Sequence, residues 1–214
     1  PISKETAYFR EQDLTPLEAD DWDSNLTWYA SADLAISQRD RAAYTVMFAA
    51  AMDENRRLQV RDRRKGRWDS ATILDEIFSL VKRYDIKDFF LETENIARAI
   101  GPQIYERMRK ESTYFTLHSV VPSKDKEARA SPLQAMTRAG GVRFNTEAEW
   151  FPDLKRNMLM FPRGPFKDDV DALGLMAHGV TKLANPASDE EIAEEEYRAN
   201  VWNIGFGRNH ITGY

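Results

Sequence analysis

Between Trp28 and Leu91 the sequence reads strand, strand, strand, helix, strand, an order that leaves few folds open. Trp28, Ala30, Ala32, Leu34 and Ile36 alternate with Tyr29, Ser31, Asp33 and Ala35, the two-residue period of a strand. Tyr44 to Met52 and Leu58 to Trp68 follow as further strands, joined through the polar segments Ser37 to Ala43 and Asp53-Glu54-Asn55. Connections that short imply an antiparallel meander. Asp69 or Ser70 then caps a helix to about Tyr84, with Ile73, Ile77, Leu80 and Val81 on its apolar stripe. The apolar run Ile86 to Leu91 closes at Glu92. A helix between two apolar strands implies a parallel crossover and a buried strand, and sites tend to form at the carboxyl ends of such strands.

The remainder continues the alternation. A helix is expected over roughly Asn95 to Lys110, kinked at Gly101-Pro102, and a strand over Tyr114 to Val121. Lys124 to Ala139 reads as a helix interrupted at Pro132 and ended by Gly140-Gly141, with a brief strand over Val142 to Asn145. Trp150 to Phe161 is an amphipathic helix. Pro162, Gly164 and Pro165 break the chain, and the last helix starts at Asp168 or Asp169 on the stripe Val170, Leu173, Ala177 and Val180. Residues 1–27 read as a linker or peripheral segment, 28–184 as the domain and 185–214 as a mobile acidic tail. Because the chain begins at Pro1 without a Met, it reads as a fragment or a processed product.

Charge and composition narrow the function. With 42% apolar and 30% charged residues, this is an ordinary soluble globular composition, and no run approaches a membrane span. The absence of cysteine excludes disulfides and thiolate metal sites. The net charge of −5 is segregated: Asp189, Glu190, Glu191, Glu194, Glu195 and Glu196 more than account for it. A basic run, Arg61, Arg63, Arg64, Lys65 and Arg67, occupies the third strand, so a polyanionic partner remains compatible with the acidic total. Such a run is a solvated face or edge protection, or else a phosphate-contacting edge. Lys124 and Lys126 follow a strand end and are further candidates for DNA phosphates. There is no Walker A pattern and no dinucleotide glycine fingerprint.

The acids carry the chemistry. Asp33 is a charge inside an apolar strand, and a buried carboxylate needs a cation, a set of donors or a metal. Asp168, Asp169 and Asp171 crowd one helical first turn, which capping alone can explain. The order of elements, however, converges Asp33, Glu92 and that turn. Clustered carboxylates become stable together mainly by sharing a divalent cation, and oxygen-only ligands favour Mg²⁺ or Mn²⁺. Two such ions about 4 Å apart suit phosphodiester hydrolysis. His118, His178 and His210 are scattered and read as structural or solvent-facing, and the five tryptophans as core or boundary residues.

The motifs also resemble a known family. Ala32-Asp33-Leu34-Ala35-Ile36-Ser37 with Tyr44-Thr45-Val46 is similar to the first motif of the nuclease domain of tailed-phage large terminase subunits, and Phe89-Phe90-Leu91-Glu92 resembles the second. Leu159 to Gly164 followed by Lys167 to Leu173 resembles the third, and Lys124 to Val142 the connecting region. The chain departs from the family pattern at Lys167, where many relatives carry His, and at Ala43, where they carry an acid.

The resemblance implies an α/β, ribonuclease H-like mixed central sheet, three antiparallel strands plus parallel ones, flanked by helices. It implies an endonuclease cutting concatemeric double-stranded viral DNA with two Mg²⁺ or Mn²⁺ ions. Asp33, Glu92 and Asp169 map onto the metal-binding acids, with Asp168 or Asp171 as a further ligand or a capping neighbour. The partners implied are DNA, an ATPase motor domain not contained in this chain, the portal and the small terminase subunit, in the host cytoplasm. Competing expectations are a junction resolvase or transposase core on the same fold, and a non-catalytic docking module whose acids only cap helices.

Overall fold

The computed structural model describes residues 7–22, 26–35, 44–92, 96–121 and 125–185, the side chains of 96–99 excepted. In chain order the strands are β1 (Thr15–Pro16), β2 (Thr27–Asp33), β3 (Thr45–Met52), β4 (Leu58–Gly66), β5 (Asp88–Glu92), β6 (Thr116–Val120) and β7 (Val142–Phe144). The helices are α1 (Ser70–Tyr84), α2 (Ile96–Glu111), α3 (Lys126–Arg138), α4 (Phe151–Met160) and α5 (Asp168–Ala184). One seven-stranded sheet runs β1-β7-β4-β3-β2-β5-β6. The pairs β2–β3 and β3–β4 are antiparallel, and the other four are parallel. The expected meander and the crossover through α1 are therefore both present, in a mixed α/β sheet flanked by helices.

Register determines what each face carries. Directly opposed residues share a face, so Ser31, Phe48 and Arg63 form one row and Asp33, Val46 and Lys65 the next. The other face holds Ala30, Ala32, Met47, Ala49, Phe89 and Leu91, packed on Ile73, Ile77 and Leu80 of α1 and on Ile104 and Met108 of α2. Full burial of each large aliphatic side chain there contributes about 1.5–3 kcal/mol. The Asp69 carboxylate accepts from the Thr72 amide at 2.8 Å and starts α1, while Asp85, with φ of 51°, ends it.

The helices α4 and α5 cover the first face. The buried Ser31 hydroxyl donates to the Ala172 carbonyl at 2.7 Å and ties α5 to β2. Close approach needs small residues: a Cβ on Gly179 would stand 2.2 Å from the Phe90 ring, and one on Gly174 would stand 3.1 Å from the Arg129 carbonyl. The link from α4 to α5 contains a cis peptide bond at Phe161–Pro162.

Two expectations change. The helix expected to break at Pro132 is continuous from Lys126 to Arg138; proline removes one amide donor, while Ala130 and Leu133 keep the helix seated in the core. The 1–27 segment is peripheral in sheet order, yet its described part adds β1 and buries Phe9, Leu14 and Asp21. Internal contacts group residues 1–179 as one unit. Of the second, 180–214, the described residues 180–185 comprise the end of α5 and Asn185.

Candidate metal centre

Asp33 ends β2, and Glu92 ends β5, its parallel neighbour, where Ala32 pairs with Leu91. The next residue on each strand is an acid, so the two carboxylates leave the sheet at the same level, about one strand spacing of 4.8 Å apart. The first turn of α5 lies against the same face, held by the Ser31 bond. Successive helical residues are separated by about 100°, so Asp169 and Asp171 leave α5 on nearly opposite sides.

Asp171 goes to Asp33 and Glu92. Together with Val120, Arg129 and His178 these three acids line a cavity of about 130 Å³. Asp33 is pushed up to about 8, first by burial and then by the charges of Asp171, Glu92 and Asp168, against a smaller opposing effect of Arg129. Burial also raises Asp171, opposed by Arg129, Lys126 and Lys167. Asp168 is raised by burial, opposed by Lys65 and reinforced by Asp169 and Asp171. Three carboxyls raised together mark a site that favours added positive charge.

Asp169 goes elsewhere. It is fully buried, with Arg63 Nε at 2.7 Å, Lys65 Nζ at 3.0 Å and the Asn157 amide donating at 2.6 Å. It is not among the residues lining the cavity. Of the acids expected from the sequence, the structure thus brings Asp33, Glu92 and Asp171 together, keeps Asp168 within their field and turns Asp169 into a buried ion-pair network.

A single side chain already supplies positive charge between the acids. Arg129 places Nη1 3.1 Å from Glu92 Oε1 and Nη2 3.4 Å from Asp171 Oδ1. Arg129 Nε and Asp171 Oδ1 are nevertheless buried with no hydrogen-bond partner. As placed, no group of three or more His, Cys, Asp or Glu among the described residues closes on one ion position. The donor set still fits a hard divalent cation: all the acidic donors are oxygens, and one of them is buried without a hydrogen bond.

The basic run divides by burial and partner. Arg61 is buried, donating to the Asp21 carbonyl at 2.5 Å and to Gln59, with its guanidinium 4.1 Å over the Trp22 ring. Arg63 pairs with Asp153 and Asp169, and Arg64 with Glu76 at 2.6 Å. Lys65 is shared between Asp169 and Asp153, while Arg67 is exposed beside Tyr44. The run therefore does not form one phosphate-contacting edge: Arg61, Arg63 and Lys65 are taken up by partners within the fold, the register of β4 shifts at Arg61, and only Arg64 leaves the strand on the other face by alternation. Lys126 is exposed near Lys167 and Asp171. Lys124, Ala43, His210, Trp202 and the acidic cluster lie outside the described residues.

Arg129 and His178 are functional candidates that sequence reasoning missed. His178 follows Asp171 by seven residues, two helical turns on one face, so the signal was present. His118 has the expected structural setting: its Nε2 lies 2.7 Å from Asp88 Oδ1 and its ring stacks on Phe90.

No protein-family model matches the sequence. No curated protein matches it by sequence either. Solved structures do match. The large terminase nuclease from thermophilic phage G20c with bound magnesium aligns with a TM-score of 0.52 at 16% identity, over 77% of this chain and 84% of that one. The HK97 bacteriophage large terminase gives 0.53 at 13% identity, over 80% of this chain and 42% of that one. The human cytomegalovirus terminase nuclease domain, Mn-soaked and inhibitor-bound, gives 0.51 at 12% identity, over 82% and 95%. What is shared at such identities is architecture: the chain has the ribonuclease H-like fold of viral large-terminase nuclease domains.

Proposed function

We propose that this chain is a divalent-metal-dependent endonuclease domain that cuts concatemeric double-stranded DNA in a viral packaging machine. The observation that supports it most is the meeting of Asp33, Glu92 and Asp171 in one cavity, all on the sheet face covered by α5. In this reading Asp33, Glu92 and Asp171 hold the metal and Asp168 flanks it. Asp169, expected from the sequence as the third ligand, instead anchors the helix that delivers Asp171. Mg²⁺ or Mn²⁺ fits the oxygen donors; the G20c nuclease has been crystallised with magnesium, cobalt and zinc.

Divalent ions bound there supply Lewis-acid polarisation of the scissile phosphodiester. The chain's own residues do the rest. β2 and β5 fix two carboxylates at one level, α5 brings the third, and Arg129 adds a cation beside the place where phosphate charge develops. The packaging motor, portal and small terminase subunit belong to the same reading, as does action in the host cytoplasm. Among the described residues no helix is long and apolar enough to cross a membrane.

The test is nicking of supercoiled plasmid with Mn²⁺ or Mg²⁺, alongside calorimetric titration of Mn²⁺. Nicking should need metal and disappear in Asp33→Asn and Asp171→Asn, and Asp171→Asn should lose Mn²⁺ binding. Wild-type nicking rates in those variants would overturn the assignment.

A further inference from the structure

A second cavity, of about 460 Å³, opens beside Lys65. Tyr44, Trp150 and Phe166 form its aromatic walls, and Lys65, Asp153 and Arg156 are among its charged residues. Asp33 pairs with Val46 and Val46 with Lys65, so the acids and this cavity lie on one sheet face. Two strand spacings put Asp33 and Lys65 roughly 10 Å apart, about three base rises along a DNA strand. The first turn of α5 stands between them, with Asp171 on one side and Asp169 on the other.

The charges are layered. At the floor, Arg63 and Lys65 are neutralised by Asp153 and Asp169. At the rim, Arg156 is 62% exposed although paired with Asp153, and exposed Arg67 lies 4.4 Å over Tyr44. Phe166 is 43% exposed and stands near the Lys65 ammonium, which is 5.7 Å from its ring centroid and 5.2 Å from that of Tyr44. One exposed aromatic side chain is ordinary. Exposed Phe166 with half-buried Tyr44 and Trp150, around a cavity with a neutral floor and a cationic rim, matches the two halves of a nucleotide, a flat base below and a phosphate above. Bases inside a duplex offer no free face, so the ligand class is an unpaired nucleotide.

We propose that this cavity takes one unstacked nucleotide of a DNA strand, at a frayed or cut end flanking the scissile phosphate; this rests on the nuclease reading above. The base stacks on Phe166 between the walls of Tyr44 and Trp150, and Arg156 with Arg67 meets the phosphate.

The experiment is titration of a single-stranded oligonucleotide carrying 2-aminopurine with the protein in EDTA, followed by fluorescence and anisotropy. The expected result is saturable quenching, lost in Phe166→Ala together with about a tenfold fall in affinity. Arg156→Ala should keep quenching at saturation but weaken binding and lower the salt slope by about 1. Both side chains are exposed, so the variants should fold. Quenching and affinity unchanged in both variants would overturn the inference. Plasmid nicking without single-strand binding or quenching would remove the cavity's role and leave the nuclease reading standing. Neither nicking nor DNA binding would remove the nuclease reading itself.

Discussion

Asp169 and Asp171 stand two residues apart on α5 and serve opposite sides of it, Asp169 the Arg63–Lys65 pair and Asp171 the cavity with Asp33 and Glu92. Exchanging either for Asn should therefore give opposite phenotypes. Asp169→Asn leaves Arg63 and Lys65 short of a buried counter-charge and should cost about 3–5 kcal/mol in urea unfolding. Its Mn²⁺ affinity should stay close to wild type. Asp171→Asn removes a carboxylate already raised by burial and should keep or increase stability in EDTA while losing the metal. Equal destabilisation by the two substitutions would contradict the division.

The pH dependence follows from Asp33. Its folded value of about 8 lies above the ordinary 3.8, so the folded state binds this proton more tightly than the unfolded chain does. The resulting stabilisation is fully present below about pH 4 and is lost as pH rises through 8. Thermal melts in EDTA should show this decline, and Asp33→Asn should flatten it. Mn²⁺ affinity should move the other way, tightening as pH rises towards 8, because metal and proton compete for the carboxylate.

Arg129 competes for the same oxygens. A metal that takes Glu92 Oε1 and Asp171 Oδ1 must draw them away from the guanidinium, now 3.1 and 3.4 Å from them. Arg129→Gln should tighten Mn²⁺ binding by up to about tenfold, the equivalent of one charge-assisted hydrogen bond. It should also lower the melting temperature in EDTA. Calorimetry showing unchanged or weaker binding would refute this competition.

Gly179→Ala tests the packing of α5 on β5. The new methyl would lie 2.2 Å from the ring of Phe90, which is buried and stacks with Tyr29 and His118. Overpacking of about 1–3 kcal/mol should outweigh or cancel the roughly 1 kcal/mol gained in helix propensity. A melting temperature above wild type would show that the ring can move aside.

Much of this was legible because the determinants are local. Trp28 to Ile36 alternates, β3 is a continuous apolar run, and Asp69 is a capping residue, so the strands and α1 follow from short-range rules. Glu92 is readable as an acid at a strand end, whereas Asp33 reads as a charge inside a strand and the structure ends β2 at it. The choice among Asp168, Asp169 and Asp171 was not legible, because helical geometry separates the three directions without saying which one meets Arg63 on β4. Arg129 illustrates the same limit: its position over the acids depends on α3 approaching Gly174 of α5, 45 residues later in sequence. β1 has only two residues and carries no period to detect.

The Ser31–Ala172 hydrogen bond acts as the rivet of a pair of calipers. One arm reaches Asp33, two residues along β2; the other reaches Asp171, one residue back along α5. Because side chains alternate along a strand, a one-residue slip of β2 would carry Asp33 to the face lined by α1. A one-residue slip would therefore abolish the meeting of the two carboxylates outright instead of widening the gap between them by degrees.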